Sequence, residues 1–187
     1  MEEDIKKAVE VLKKGGTILY PTDTLWGIGC DATNNKTVQK VIKIKERRDN
    51  TSFIILIEKE KRILDYVKEV PEILWDLLKN IDTPLTIIYP NAKNLAKNVA
   101  AKDGSIGIRL VKNEFCEKMI SKLNKPILST SANFSGEKPP LMFKDISEKL
   151  KKKIDYIVQA DQNKLNKIKA STIIKLKMNG EFEIIRQ

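Results

Sequence analysis

Histidine is absent from this sequence of 187 residues. Without an imidazole, Ser-His-Asp and Cys-His catalysis, HExxH metal sites and histidine acid–base chemistry are all excluded. The two cysteines, Cys30 and Cys116, are far apart and match no CxxC spacing, so a structural zinc site and a disulfide framework are not expected. Neither GxxxxGK(S/T) nor GxGxxG occurs, which excludes a P-loop and a Rossmann phosphate cradle. A nucleotide that binds here must therefore be held by side chains and scattered backbone amides.

Long apolar runs are also absent. No stretch approaches the roughly 18–20 apolar residues that a membrane span needs. The opening MEEDIKKAVEVLKKGG is charged throughout, where a signal peptide would have an apolar region. A cytoplasmic protein without membrane partners is therefore expected.

Positive charge is what the chain has in excess. Lysine and arginine number 35 against 25 acidic residues, which gives a net charge of +10. An excess of this size favours anionic partners such as nucleotides, RNA or acidic lipid head groups. For any single lysine, solvation of a helix face is the simpler explanation.

The apolar residues, 41% of the chain, alternate between helical and strand spacing. Ile5, Val9 and Leu12 repeat at helical spacing, and further helices are predicted at 35–45, as two short helices within 58–80, at 113–123 and from about 145 to 153. The segment FIILI has no alternation, which predicts a strand covered on both faces. Strands are predicted at 17–20, 53–57, 85–89, 106–111, 126–129, 156–158, 172–176 and 182–185.

The Asn179-Gly180 pair predicts a hairpin between the last two strands. Helices interleave with strands, but a closing hairpin does not fit a purely parallel sheet. The predicted fold class is therefore α/β, with a mixed parallel and antiparallel sheet. No linker or repeat divides the chain, so residues 1–187 are predicted to form one domain.

Two segments place hydroxyl groups at the ends of predicted elements. In YPTDTLWGIG (20–29), threonine hydroxyls could hold a small polar ligand, and two glycines permit close backbone approach. In PILSTSANFSG (126–136), an apolar strand ends in small neutral groups that leave room for an adenine, a ribose or a phosphate. An ordinary turn with a helix-capping hydroxyl is the alternative for each segment.

Two other segments carry cations. KERRDNTS (45–52) brings Lys45, Arg47 and Arg48 together just before the FIILI strand. Arginine forks and a lysine suit phosphate oxygens, whereas a basic last turn that complements the helix dipole is the alternative. In GSIGIRL (104–110), Arg109 interrupts an apolar strand, so its partner is either a substrate carboxylate or a structural salt bridge.

The order and the amino-acid sequences of these segments resemble those of a known family. PTDTLWGIGCDA, KER, PLTII, IGIRL, STSANFSG and STII are similar to motifs of the YrdC/YciO family, and the resemblance extends from about residue 14 to residue 186. Its specific part is the pair of KxR and SxN motifs, here Lys45/Arg47 and Ser131/Asn133.

The resemblance implies a YrdC-like α/β fold with a concave, positively charged face. Catalytic members of the family are threonylcarbamoyl-AMP synthases, so it also implies a reaction. L-Threonine, bicarbonate and ATP, the last bringing Mg²⁺, give threonylcarbamoyl-adenylate and pyrophosphate. The product would feed N6-threonylcarbamoyl modification of adenosine 37 in tRNA, through downstream transferase machinery.

The same resemblance implies roles for individual residues. Thr22 and Arg109 would hold threonine, and Lys45 and Arg47 would hold the ATP phosphates and be catalytic. Thr130, Ser131 and Asn133 would line the nucleotide side, with Ser171 and Arg186 as weaker candidates near it. No metal site on the protein is implied. The chemistry needs positioning and charge neutralisation rather than a histidine or an activated serine.

The chain departs from the family's usual motifs at several places. Arg48 follows KxR where proline is usual, and Thr51-Ser52 replaces a lysine-proline pair. Trp26 replaces a tyrosine or phenylalanine, and 161–170 (DQNKLNKIKA) replaces a glycine-rich turn. The length resembles the short form of the family.

Two alternatives remain at this point. One is a non-catalytic YciO-like paralogue, although such paralogues tend to lose the KxR and SxN motifs. The other is a non-enzymatic module that binds double-stranded RNA or tRNA through the excess positive charge.

Overall fold

The computed structural model describes residues 1–46, 53–164, 171–177 and 179–186. Within them nine strands occur, in chain order β1 (Ile18–Tyr20), β2 (Gly27–Asp31), β3 (Ile54–Ile57), β4 (Leu85–Tyr89), β5 (Ile106–Leu110), β6 (Ile127–Ser131), β7 (Tyr156–Ile157), β8 (Thr172–Leu176) and β9 (Phe182–Arg186). The helices are α1 (Glu2–Lys13), α2 (Asn35–Ile44), α3 (Ile63–Tyr66), α4 (Ile73–Asn80), α5 (Glu114–Leu123) and α6 (Glu148–Lys151), and short 3₁₀ turns lie at Glu60–Arg62 and Phe143–Asp145.

The nine strands form one sheet in the order β7-β1-β2-β6-β3-β5-β4-β8-β9. The pairs β1–β7, β3–β5 and β4–β8 are parallel, and the remaining neighbours are antiparallel. The predicted mixed sheet and its closing hairpin, β8–β9, are therefore confirmed. Among the described residues no helix is long and apolar enough to cross a membrane.

Apolar side chains cover both faces of the central strands. On one face α1 and α5 pack on Ile18, Tyr20 and Leu56, and on the other α2 packs on Ile28 and Ile55. The FIILI segment is thus buried from both sides, as predicted.

Helix α2 shows how the local sequence sets these elements. The Asn34 side chain caps its start by accepting hydrogen bonds from the amides of Lys36 and Thr37. Val38 and Val41 then face the core at helical spacing, and Lys45 follows the last turn.

Strand β2 is not among the predicted strands. Its residues, GIGCD, include two glycines, which have low strand propensity, and the segment was interpreted as a loop. Long-range pairing overrides that propensity, because β2 pairs with β1 on one side and with β6 on the other. Strand β6 also runs two residues past its predicted end at Ser129, since Thr130 and Ser131 pair with Ile28 and Gly27.

Helix boundaries differ slightly at the predicted basic helix. In place of a helix from about 145 to 153, the chain forms the turn Phe143–Asp145 and then α6 (Glu148–Lys151), so the helix ends before Lys152. The described structure thus contains a four-residue helix where a longer one was predicted.

Candidate active site

A cavity of about 270 Å³ lies on one face of the sheet. Six adjacent strands contribute residues on this face to its wall. The pairing register brings together residues that are far apart in sequence, in the spatial order Gly27 (β2), Ser129 (β6), Ile54 (β3), Arg109 (β5), Thr86 (β4) and Ile173 (β8). The long side chain of Arg186 reaches the same cavity from β9.

One wall is built around Arg109, which is only 4% exposed. Its Nη1 donates to Thr24 Oγ1 at 3.0 Å, and its Nη2 lies 3.2 Å from Asp23 Oδ1. Thr24 Oγ1 is 3.1 Å from Thr22 Oγ1, which donates to the carbonyl oxygen of Leu25 at 2.6 Å. Because arginine only donates and a carbonyl only accepts, the chain of contacts runs from Arg109 through the two threonines to Leu25.

The two residues predicted to hold threonine, Thr22 and Arg109, therefore lie together in the cavity wall. The structure adds Asp23, which has no role in the sequence-based prediction, and places Thr24, the second of the two threonines whose hydroxyls could hold a polar ligand, in the same wall. Both alternatives for Arg109 have some support, because it forms a salt bridge with Asp23 and also lines the cavity. The signal in the sequence was the close spacing of three polar residues in PTDT.

A second wall consists of the hydroxyl residues at the end of β6. Ser129, Thr130 and Ser131 all line the cavity, and two of them, Thr130 and Ser131, belong to the predicted nucleotide side. The phenol of the fully buried Tyr20 donates to Ser129 Oγ at 2.8 Å. Burial, with a smaller contribution from Cys116, raises the pKa of this phenol above its ordinary value, so it stays a protonated donor.

Lys45 joins the KxR motif to the SxN turn. Its ammonium donates to the carbonyl oxygen of Ser131 at 2.7 Å, to Asn133 Oδ1 at 3.2 Å and to the carbonyl oxygen of Asn133. The amide of Ser135 in turn donates to the carbonyl oxygen of Lys45 at 3.0 Å. Lys45 and Asn133 are not among the described residues that line the cavity. Arg47 lies outside the described residues.

The third wall combines β4, β8 and β9. Thr86 Oγ1 lies 2.8 Å from Ser171 Oγ, and the Nε and Nη2 atoms of Arg186 donate to the carbonyl oxygen of Ser171 at 3.2 and 2.7 Å. Burial, and secondarily the positive charge of Arg109, lowers the pKa of the Arg186 guanidinium. Ser171 and Arg186, the two weaker candidates, thus line the cavity together, and Thr86 was missed.

One of the four sequence departures can be placed. Trp26 is buried in the cavity wall, with its ring centroid 4.9 Å from that of Phe143. Arg48 and the Thr51-Ser52 pair lie outside the described residues, as does most of the 161–170 segment.

The acidic and thiol groups of the described residues limit the chemistry further. No group of three or more potential metal ligands occurs among those residues. Both thiols are buried, and burial raises the pKa of Cys30 to about 12 and that of Cys116 above its ordinary value. Neither thiol is suited to act as a nucleophile near neutral pH.

Comparison with known proteins shows the family. The model for the Sua5, YciO and YrdC proteins, described as "Telomere recombination", matches residues 10–187. The chain belongs to the Sua5/YciO/YrdC family. A Methanocaldococcus jannaschii relative, provisionally named threonylcarbamoyl-AMP synthase, is 37% identical over 94% of this chain and 83% of its own length. The threonylcarbamoyl-AMP synthase of Pseudoalteromonas translucida is 29% identical over 96% of both chains.

Solved structures of family members confirm the predicted fold. P. abyssi Sua5 in complex with L-threonine superposes with a TM-score of 0.86 at 26% identity, over 94% of this chain and 52% of that one. This chain thus spans about half the length of Sua5. E. coli YciO superposes with a TM-score of 0.84 at 25% identity, over 100% of this chain and 90% of its own.

Proposed function

We propose that this chain is a threonylcarbamoyl-AMP synthase, a nucleotidyltransferase that converts L-threonine, bicarbonate and ATP into threonylcarbamoyl-adenylate and pyrophosphate. The observation that carries the proposal is the single cavity shared by Arg109 and the hydroxyl wall of β6. The names of the relatives from P. translucida and M. jannaschii, and the threonine complex of P. abyssi Sua5, support the same activity.

The spacing of the two walls suits a small amino acid. Strand β3 alone separates β6 from β5, so the two walls are about 10 Å apart on one face of the sheet. The buried Arg109 offers a fixed positive charge to the α-carboxylate of threonine. Thr22 lines the same wall as Arg109 and is proposed to help hold the threonine.

Two bond-forming steps complete the reaction. The neutral amine of threonine attacks the carbon of bicarbonate, and loss of water leaves a carbamate. A carbamate oxygen then attacks the α-phosphorus of ATP, and the bond to the leaving pyrophosphate breaks. Neither step needs an imidazole or a thiolate, which fits a chain without histidine whose thiols have raised pKa values.

The cationic groups of the chain have separate tasks in this scheme. Arg186 brings a second positive charge to the cavity, where negative charge builds up on the phosphates. Lys45 and Arg47 are proposed to serve the triphosphate. Lys45 does so while fixing the turn that follows β6. Mg²⁺ is part of the substrate Mg-ATP in this proposal.

The product is a reactive mixed anhydride, so a transferase acting on tRNA is proposed to consume it. Direct contact of this chain with tRNA or double-stranded RNA is a separate prediction, which rests on the net charge of +10. A concave basic face remains part of that prediction.

A non-catalytic YciO-like role is the second candidate. It is favoured by the similarity to E. coli YciO, whose length this chain covers almost completely. The presence of both Lys45 and the Ser131–Asn133 turn in one hydrogen-bonded unit favours the synthase instead.

The test is direct product detection. The purified protein is incubated with Mg-ATP, bicarbonate and L-threonine, and pyrophosphate release is followed together with mass detection of threonylcarbamoyl-adenylate. Product that requires all three substrates is the expected result. Absence of product from protein that still binds threonine would favour the YciO-like role. Absence of product with saturable, salt-dependent RNA binding would favour the binding module.

A further inference from the structure

Asp23 is a buried carboxylate that the proposed reaction does not yet use. Its side chain is 8% exposed, and that of its salt-bridge partner Arg109 is 5% exposed. Neither carboxylate oxygen accepts a hydrogen bond from the residues that the structure describes, and Arg109 Nε likewise has no acceptor among them. Leaving buried polar atoms unpaired in this way lowers stability.

Other buried carboxylates among the described residues accept hydrogen bonds: Glu58 has one unpaired oxygen but accepts from Arg62 at the other, and Asp31 and Asp4 are fully bound. Asp31 accepts from the amide and the hydroxyl of Thr33 at 2.8 and 2.6 Å and forms a salt bridge with Lys125. Asp4 accepts from Tyr156 and from two backbone amides. A carboxylate that served only the stability of the fold would be expected to resemble these two. Asp23 has the Arg109 guanidinium instead.

The position of Asp23 fixes how that guanidinium is presented. Asp23 lies against Nη2 while Thr24 takes the Nη1 hydrogen bond, so two terminal nitrogens are held by two residues of one loop. Two contacts on different nitrogens define the plane of a guanidinium, and a planar fork binds a carboxylate well only when the two groups are aligned. Asp23 is not among the groups that line the cavity, whereas Arg109 is.

We propose that Asp23 is a positioning residue for amino-acid recognition: it holds the fork of Arg109 in the orientation that receives the substrate carboxylate. The inference rests on the proposed function, because it takes the amino acid to be L-threonine. Asp23 acts through Arg109, so its removal affects threonine and leaves the nucleotide side, built on β6 and Lys45, unchanged.

The experiment measures binding of L-threonine and of Mg-ATP separately, by calorimetry on the full chain. D23N is expected to weaken threonine binding on the order of tenfold to a hundredfold, the scale of a small misplacement of a binding group. Its Mg-ATP affinity is expected to stay within about twofold of the wild type, and in turnover the KM for threonine should rise without a matching rise for ATP. D31N, the same change at a buried carboxylate away from the cavity, is the matched control and should leave both affinities unchanged.

A double-mutant cycle separates positioning from a structural role. In an R109Q background, D23N should cause no further loss of threonine affinity, because the group through which Asp23 acts is gone. Additive losses would overturn the proposal, since they would mean that Asp23 acts independently of Arg109.

The remaining outcomes are also decisive. Wild-type threonine affinity in D23N would overturn the inference and leave the proposed function intact. No threonine binding and no product from the wild type would overturn both. If D23N does not fold, D23E keeps the charge but carries the carboxylate one methylene further. It should then show a smaller, threonine-specific loss, and unchanged threonine binding in D23E would overturn the proposal.

Discussion

The ammonium nitrogen of Lys45 lies 2.7 Å from the carbonyl oxygen of Ser131. This contact joins the residue that follows α2 to the last residue of β6. Lys45 and Ser131 are 86 residues apart in the sequence. The KxR and SxN motifs thus form one hydrogen-bonded unit. Lys45 is only 4% exposed, so its charge is held by the acceptors of this turn in the described structure.

The first prediction concerns this unit. Lys45→Ala removes the donor to three oxygen atoms of the SxN turn and should lower the free energy of unfolding by about 1–3 kcal/mol. It should also reduce kcat/KM at least about a hundredfold, because the positive charge that is proposed to serve the triphosphate is lost. Urea unfolding and initial rates of pyrophosphate release measure the two effects. Lys43→Ala, an exposed change on the same helix, is the control. Wild-type stability and rate in Lys45→Ala would show that the unit has neither role.

The second prediction contrasts alanine substitutions at two glycines of β2. A Cβ at Gly29 would lie 2.8 Å from Tyr20 Cε1 and 2.9 Å from Ile127 Cγ2, both on fully buried side chains. Gly29→Ala should therefore lower the free energy of unfolding by about 1–3 kcal/mol.

Gly27 is the matched position, because it lines the cavity. A Cβ there would lie 3.2 Å from Ser129 Oγ and 3.4 Å from Thr22 Cγ2. Gly27→Ala should therefore narrow the cavity and raise the KM for the substrates. It should lower the free energy of unfolding less than Gly29→Ala does. Thermal unfolding and steady-state kinetics on both variants test the contrast. The reverse order of effects would mean that β2 does not form the cavity wall in this way.

The third prediction is a pH dependence of stability. Burial alone would raise the pKa of Asp4, but hydrogen bonds from the Tyr156 hydroxyl and from the amides of Gln159 and Ala160 outweigh it and lower the pKa below 3.8. A carboxyl whose pKa is lower in the folded state contributes stability above its unfolded pKa, and this contribution is lost as pH falls through the folded pKa.

Asp4→Asn should therefore lower the free energy of unfolding near neutral pH by about 1–3 kcal/mol. The difference from the wild type should shrink as the pH falls below the ordinary aspartate pKa and through the lowered pKa of folded Asp4, where the native carboxyl becomes protonated. Urea unfolding near neutral pH and at acidic pH measures this difference in the free energy of unfolding. Glu10→Gln, an exposed change on the same helix, is the control. A difference that is constant with pH would contradict the assignment.

Local sequence patterns predicted an element correctly where residues within or next to that element stabilise it. Asn34 caps α2, and strands β4 and β8 have the predicted bounds because apolar residues fill them. They did not predict β2, because its two glycines have low strand propensity. This strand forms because β1 and β6 pair with it.

By itself, the sequence determined the chemistry that is excluded, the mixed α/β fold and most of the polar residues of the site. These follow from residue types and from local spacing. Only the tertiary structure decided which of those residues meet. The sheet order β2-β6-β3-β5-β4-β8 places Gly27, Ser129, Arg109 and Thr86 around one cavity, although no local pattern links them. The structure also decided that Asp23 lies against Arg109 and that Lys45 holds the SxN turn. The physical reason is that such contacts depend on strand register and burial, which are set by pairing between distant segments.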